Sequence, residues 1–215
     1  LIDSAPDLCF ALNKTLEEIN IPSITIQEVM GYLGDGALEL IKRGISKNHN
    51  IFNYDTEKLR LRFLEIYDDC LLKETNFYKN ALRSLDELKK MNLTLAICTN
   101  KPEKLAKRII NGLNASHYFD AIVGGDTYQY RKPDSRHLIQ TILNTGKEID
   151  RAIMVGDSKN DIKCAKSANI PSIVVNFGYS KIPVADLQAN IVMNDSFLKV
   201  QLPPMYLYLF LIKAY

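Results

Sequence analysis

From about residue 90 onward, short continuous apolar runs alternate with segments of helical spacing, and this alternation limits the possible folds more than any other feature of the sequence. The runs lie at 93–98, 121–123, 152–155 and 173–175, with 191–192 as a further candidate. The helical segments lie at 81–91, 103–113, 133–143 and 161–168. Strands that are apolar throughout are typical of a parallel sheet buried on both faces. The sequence therefore predicts an α/β fold, in which ligands bind beyond the carboxyl ends of the strands.

The first third of the chain has helical spacing and shows no strand pattern before residue 90. Ser4 is a candidate N-cap for a first helix and Asp55 for a long fourth helix. Thr25 and Glu28 have the spacing of a capping box at the start of a short second helix. We therefore expect three parts along the chain, a helical bundle over 4–75, an α/β core over 76–200 and an unusually apolar tail over 201–215.

Composition excludes several classes of partner. The formal net charge of +2 is too small to indicate a nucleic acid or an anionic membrane. The longest apolar run, Met205–Ile212, is far shorter than the ~20 residues that cross a bilayer.

The four cysteines are widely separated and form no C-x-x-C pair, so we expect reduced thiols in a cytoplasmic protein. The three histidines show no metal-ligand spacing, and we expect them at the surface or at helix ends.

Two polar clusters follow predicted strands or precede predicted helices in a way that suits an anion. Thr99 and Asn100 come directly after the run 93–98, and their side chains and the turn's N–H groups could donate to phosphate oxygens. Lys132 precedes Pro133, which restricts its backbone and so places a cation near a helix start. An ordinary strand-to-helix turn and a solvated lysine are the alternative interpretations.

A third cluster, Gly156 to Asp161, suits a metal ion. Asp157 lies at the end of a predicted strand, and Asp161 lies four residues later in the first turn of a helix. Oxygen ligands of this kind suit Mg²⁺, which usually takes one or two carboxylates and keeps several waters. The alternative is a pair of acids that cap the helix. Together the three clusters predict a phosphoryl-transfer site that lacks a nucleophile, because no further aspartate follows a strand-like apolar run.

At these residues the chain closely resembles the haloacid dehalogenase-like (HAD) superfamily of phosphatases, in particular its phosphoglycolate phosphatase branch. The segments 99–102, 132–133 and 156–161 are similar to the second, third and fourth motifs of that branch. The opening Leu1–Leu8 is similar to the sequence that follows the family's first motif, D-x-D-G-T. The likeness covers about residues 1 to 195. It implies a Rossmann-like parallel sheet, HAD-like, with the helical bundle inserted as a cap and with the first core strand absent from this chain.

The resemblance also implies a role for each candidate site residue. Thr99 and Lys132 would be catalytic residues that bind the phosphoryl oxygens, with Lys132 also stabilising the attacking carboxylate. Asn100 would orient phosphate or substrate. Asp157 would ligate Mg²⁺, and Asp161 would ligate it or hold its waters.

In the cap, the loop Gly34–Gly36 resembles the family's segment that faces the active site, and Arg43 is a candidate partner for a substrate carboxylate. The implied function is a Mg²⁺-dependent phosphatase of a small phosphorylated metabolite, above all 2-phosphoglycolate, with an aspartyl-phosphate intermediate.

The chain departs from the family pattern at three places. Ser135 stands two residues after Pro133, where a second proline is common in the family, and we expect little effect from it. D-x-D-G-T, which supplies the nucleophile and the general acid/base, is absent from the sequence. We expect it upstream of residue 1, and we expect the 215-residue chain alone not to turn over. The apolar tail is also atypical, and a covering helix, an interface and a misread terminus are all open interpretations. Two other functions stay open, a phosphate- or protein-binding pseudo-enzyme and a phosphate-accepting signalling domain.

Overall fold

The chain forms two compact units in the computed structural model, which describes residues 1–47, 49–180 and 182–194 and the backbone of 210–212. One unit is Asp3–Asn76, and the other is Leu1–Ile2 with the chain from Phe77 onward. Across these described residues, no helix is both long enough and apolar enough to cross a membrane.

The first unit consists of helices whose starts follow the predicted capping signals. The helices are α1 (Ala5–Glu17), α2 (Ile26–Tyr32), α3 (Ala37–Ser46) and α4 (Thr56–Cys70). The side chains of Thr25 and Glu28 form the capping box of α2, and the Asp55 carboxylate accepts from the Lys58 backbone N–H at the start of α4. The prediction for Ser4 is wrong in one respect, because its side chain makes no capping hydrogen bond. The carboxylate of Asp3 instead accepts from the Ala5 N–H at 3.1 Å.

A buried carboxylate ties the end of this unit back to its first helix. Asp7 on α1 is 2% exposed and accepts from the backbone N–H groups of Glu74 and Thr75, both at 3.0 Å. The Thr75 hydroxyl donates to the same carboxylate at 2.6 Å. These bonds compensate for the cost of taking a charged group out of water.

Two short strands that the sequence did not indicate lie where the chain passes from one unit to the other. β1 (Ile2–Asp3) pairs with β2 (Asn76–Phe77) in a two-stranded sheet. Each has two residues, too few for a period to be visible.

The second unit contains a six-stranded sheet in which every neighbouring pair is parallel. The strands are β3 (Leu95–Cys98), β4 (Ala121–Val123), β5 (Ile153–Gly156), β6 (Ser172–Val175), β7 (Ile191–Met193) and β8 (Phe210–Ile212), in the order β4-β3-β8-β5-β6-β7. The helices are α5 (Ala81–Lys90), α6 (Glu103–Gly112), α7 (Ser135–Leu143) and α8 (Lys159–Ser167). The predicted α/β class with a parallel sheet is confirmed.

Alternate strand residues enter two separate cores, which explains why the strands are apolar throughout. Ala96 and Met154 pack in one core with residues of α7 and α8. Leu95 and Val155 pack in another with residues of α5. α7 begins at Ser135 rather than at Pro133 as expected, because the side chain of Asp134 caps it by accepting from the Arg136 N–H.

The position between β3 and β5 is taken by the tail. Phe210 is in register with Leu95 on one side and with Ile153 on the other. The interpretation of the tail as a covering helix is therefore wrong for 210–212. These residues form a strand inside the sheet, although the expected first strand is absent from the sequence. The rest of the tail, 201–209 and 213–215, lies outside the described residues.

Candidate active site

Five of the predicted site residues are buried around the carboxyl ends of β3 and β5. Thr99 and Asp161 are 0% exposed, Lys132 is 2%, Asn100 is 6% and Asp157 is 7%. Polar and charged residues are seldom buried to this degree without a partner or a function. The structure supplies partners for all five.

The Thr99–Asn100 turn is fixed from both sides. The Thr99 N–H donates to the Val123 carbonyl at 3.0 Å, and the Thr99 hydroxyl accepts from the Lys101 N–H at 3.1 Å. The amide of Asn100 donates to the Lys132 carbonyl at 2.9 Å. The turn between β3 and α6 is therefore joined directly to the segment that carries Lys132.

Lys132 is a buried cation held by a carboxylate and a carbonyl. Its ammonium lies 2.8 Å from Asp161 Oδ1 and donates to the carbonyl of Cys98, the last residue of β3. Burial alone would lower the pKa of Lys132, but the Asp161 carboxylate raises it above its ordinary value. The ammonium thus stays charged where β3 ends, and the interpretation of Lys132 as a solvated side chain is wrong.

Asp161 is engaged through both of its oxygens. Oδ2 accepts from the N–H groups of Asp157 and Ser158, at 3.2 and 3.0 Å, and from the Ser158 hydroxyl at 2.7 Å. A Cβ on Gly156 would lie 2.3 Å from the Asp161 Cβ, so this approach requires glycine. Asp161 therefore combines the predicted capping role with an ion pair to Lys132.

Asp157 is held by a loop that passes very close to it. Its Oδ2 accepts from the Tyr179 N–H at 2.9 Å. A Cβ on Gly178 would lie 2.2 Å from the same oxygen. The carboxylates of Asp157 and Asp161 provide the hard oxygen donors that Mg²⁺ prefers. Asp161 fits less well, because its Oδ1 lies 2.8 Å from the Lys132 ammonium. Among the described residues, no three His, Cys, Asp or Glu side chains group in a way that could hold a metal.

The structure brings Thr99, Asn100, Lys132 and the two aspartates together, but the sixth predicted residue lies in the other unit. Arg43 is on α3, where its guanidinium donates to the Tyr32 carbonyl at 2.7 Å and pairs with the Asp35 carboxylate.

Sequence reasoning missed the contributions of Ser158 and of the Tyr179 backbone. It also did not show that His137, which lies in the first turn of α7, is fully buried and not at the surface. The helical spacing of 137, 138, 141 and 142 is a signal that could have revealed this position.

Comparison with known proteins identifies the family. The family model for haloacid dehalogenase-like hydrolases matches residues 1–175, most of the chain. The chain therefore belongs to the haloacid dehalogenase-like hydrolase family.

Two curated relatives and one solved structure show which members of this family the chain resembles. A phosphoglycolate phosphatase of Agrobacterium fabrum is 38% identical over 196 residues, which are 91% of this chain and 84% of the relative. A phosphoglycolate phosphatase of Rhodospirillum rubrum is 37% identical over 200 residues, 91% of this chain and 83% of the relative. A crystal structure described as a predicted phosphoglycolate phosphatase from Haemophilus somnus superposes with a TM-score of 0.83 at 27% identity, covering 91% of this chain and 90% of that one.

Proposed function

We propose that this chain is a Mg²⁺-dependent phosphatase of a small phosphorylated metabolite, with 2-phosphoglycolate as the leading substrate. The observation that carries the proposal is the buried arrangement of Lys132, Asp161 and Asp157 beside the Thr99–Asn100 turn. The names of the relatives support the substrate, since the chain spans more than four-fifths of each one reported above.

In this proposal the phosphoryl group binds at the Thr99–Asn100 turn. The threonine hydroxyl donates to its oxygens, and the Lys132 ammonium balances their charge. Such donors act strongly because they are fixed before the substrate arrives and lie in a site from which water is largely excluded. Asp161 keeps Lys132 in place through the 2.8 Å ion pair.

We assign the metal chiefly to Asp157. A bound Mg²⁺ would supply positive charge that polarises the phosphoryl group. Asp161 would hold waters around the ion rather than bind it directly, because its Oδ1 already faces the ammonium of Lys132.

The remaining parts of the proposal concern the nucleophile and the helical unit. The family's mechanism, in which an aspartate attacks phosphorus and water then hydrolyses the aspartyl-phosphate, needs D-x-D-G-T, which the sequence lacks. We propose that the helical unit, 4–75, acts as a cap that selects the substrate. Within it, Arg43 would contact a substrate carboxylate by exchanging its partner Asp35 for the ligand.

An activity assay tests the substrate. Phosphate release from 2-phosphoglycolate is measured for the 215-residue chain and for a version with a D-x-D-G-T strand added before Leu1, with sugar phosphates as competitors. We expect Mg²⁺-dependent release from the extended version and a preference for 2-phosphoglycolate. No release from any ester by the extended version would contradict the proposal, and fast release by the unextended chain would refute the need for the added motif.

Metal binding is tested separately from activity. Mn²⁺ replaces Mg²⁺, and electron paramagnetic resonance counts the bound ion. We expect Asp157→Asn to weaken binding at least tenfold, because even the loss of an outer partner of a metal ligand typically costs about 10- to 100-fold in metal affinity. The exposed Asp150→Asn is the matched control and should bind as the unaltered chain does. Equal binding by both variants would remove Asp157 from the metal site.

A further inference from the structure

A buried histidine that the proposed function does not use lies directly beneath the candidate site. His137 is on α7 and is 0% exposed. Its ring nitrogens reach two different segments, since Nε2 lies 2.9 Å from the Gly124 carbonyl and Nδ1 lies 3.4 Å from the Cys98 sulfur. The ring therefore links α7 to the end of β3 and to the loop that follows β4.

The partners of the ring determine where its proton lies. A carbonyl oxygen only accepts, so Nε2 must carry the hydrogen that it donates to Gly124. The pKa of His137 is lowered to about 4, chiefly by burial and in part by Lys132, while the hydrogen bond to the Gly124 carbonyl and the Asp134 charge oppose the shift, so the ring is neutral at pH 7. Nδ1 is then an acceptor. Burial also raises the pKa of the Cys98 thiol, which leaves an S–H to donate to Nδ1.

Both segments held by the ring belong to the candidate site. The backbone carbonyl of Cys98 accepts from the Lys132 ammonium. Gly125, next to Gly124, donates its N–H to the Lys101 carbonyl at 2.9 Å. A Cβ on Gly125 would lie only 2.5 Å from the Asn100 carbonyl oxygen, so the loop and the Thr99–Asn100 turn are in close contact. A shift at either end of the imidazole would move groups that face the phosphoryl position.

We propose that His137 is a positioning residue for phosphate binding, which acts by fixing the Cys98 carbonyl and the Gly124–Gly125 loop so that Lys132 and the Thr99–Asn100 turn meet the phosphoryl oxygens in one geometry. The inference rests on the proposed function, because it takes the phosphoryl position from there. It adds a residue that touches neither the phosphate nor the metal.

Binding of inorganic phosphate in the presence of Mg²⁺ tests the inference by calorimetry on the full chain. His137→Leu removes both ring contacts and should raise the Kd for phosphate about tenfold, as loss of an outer partner typically does. His137→Gln keeps one donor for the Gly124 carbonyl and should recover part of that loss. Leu138→Ala is the matched control, because Leu138 is also fully buried on α7 but belongs to the apolar core. It should lower stability and leave the Kd unchanged.

The possible outcomes separate the two proposals. The unaltered chain and the two variants, His137→Leu and His137→Gln, could all bind phosphate with the same Kd. In that case the positioning role is refuted while the proposed function stands. If Leu138→Ala weakens binding as much as His137→Leu, the effect is one of general stability, and the positioning role is again refuted. If the unaltered chain binds no phosphate, the proposed function fails and the positioning role fails with it.

A spectroscopic measurement tests the ring contacts without any ligand. Nitrogen-15 shifts of the His137 ring should show the tautomer with hydrogen on Nε2 from pH 8 down to about pH 5, whether or not phosphate is bound. The tautomer with hydrogen on Nδ1, or a charged ring at pH 6, would overturn the arrangement described above.

Discussion

Asp7 in the helical unit and Asp161 in the sheet unit are both buried carboxylates, and they have different partners. In the helical unit, Asp7 accepts from two backbone N–H groups and one hydroxyl of the segment that ends the unit. In the sheet unit, Asp161 accepts a similar set at one oxygen, but its other oxygen faces the ammonium of Lys132. The first arrangement closes a fold, whereas the second also holds a cation at the strand ends where ligands bind. Burial of an acid alone therefore does not indicate a functional site, and the nature of its partners does.

The largest effect should come from removing the cation of the sheet unit. Lys132→Met leaves the Asp161 carboxylate buried without its ammonium, which should cost about 3–5 kcal/mol of the free energy of unfolding. Urea denaturation measures the loss. Adding Asp161→Asn to the same chain should restore part of the stability, since no buried charge then remains at the pair. A double variant no more stable than Lys132→Met would show that packing, and not charge, dominates here.

The corresponding change in the helical unit should be somewhat smaller and should not affect the site. Asp7→Ala leaves the buried N–H and hydroxyl of Thr75 and the partly buried N–H of Glu74 without their acceptor, at a cost of about 3 kcal/mol. Asp69→Asn on the exposed side of α4 is the control and should change stability little. The unaltered chain, Asp7→Ala and Asp69→Asn should bind phosphate with the same affinity at a temperature where each is folded. A weakened phosphate affinity in Asp7→Ala would break the distinction between the two carboxylates.

Because of His137, the free energy of unfolding should fall as the pH is lowered from neutral to acid conditions. Its pKa is lowered from 6.5 to about 4 in the fold, so the unfolded chain binds a proton first as the pH falls. Well above pH 6.5 the ring is neutral in both the folded and the unfolded chain and does not make stability depend on pH. Between pH 6.5 and 4.5 the unfolded chain binds more protons, so the free energy of unfolding should fall by about 2 kcal/mol because of this residue. Denaturation across this range should show a shallower slope for His137→Leu. A slope as steep as that of the unaltered chain would contradict the assignment to His137.

The smallest effect concerns the surface of the helical unit. Thr25→Ala removes the hydroxyl that accepts from the Glu28 N–H in the capping box of α2, and the loss should be about 1 kcal/mol. Thermal unfolding measures it, with the neighbouring exposed Ser23→Ala as a control. A loss as large as that of Asp7→Ala would mean that α2 supports the unit more than its short length indicates.

The sequence was sufficient to predict features that rest on local patterns. Strands β3 and β5 were visible because they are apolar throughout, and helix α2 because its cap is formed by Thr25 and Glu28 close together in the chain. Five site residues could be found for the same reason, since each lies within a few residues of a strand end or a helix start. Their gathering in space followed from the parallel sheet.

The features that could not be predicted depend on contacts between distant segments. Nothing near Tyr179 shows that its N–H reaches Asp157, because that contact depends on the path of a loop past Gly178. The ring contacts of His137 likewise join residues from three elements. β8 was missed because an apolar run alone does not distinguish a strand from a helix, and its partners lie far away in the chain.

The place of β8 in the sheet has a consequence for how the protein folds during its synthesis. Its neighbours β3 and β5 are made long before residues 210–212, yet neither pairs with the other in the finished sheet. While β8 has not yet paired with them, β3 and β5 each keep an open strand edge on the side where β8 lies in the finished sheet. Open edges of this kind invite aggregation, and late, long-range parallel pairing is slow. The step that closes this sheet should thus be the one at which a nascent chain depends most on chaperones.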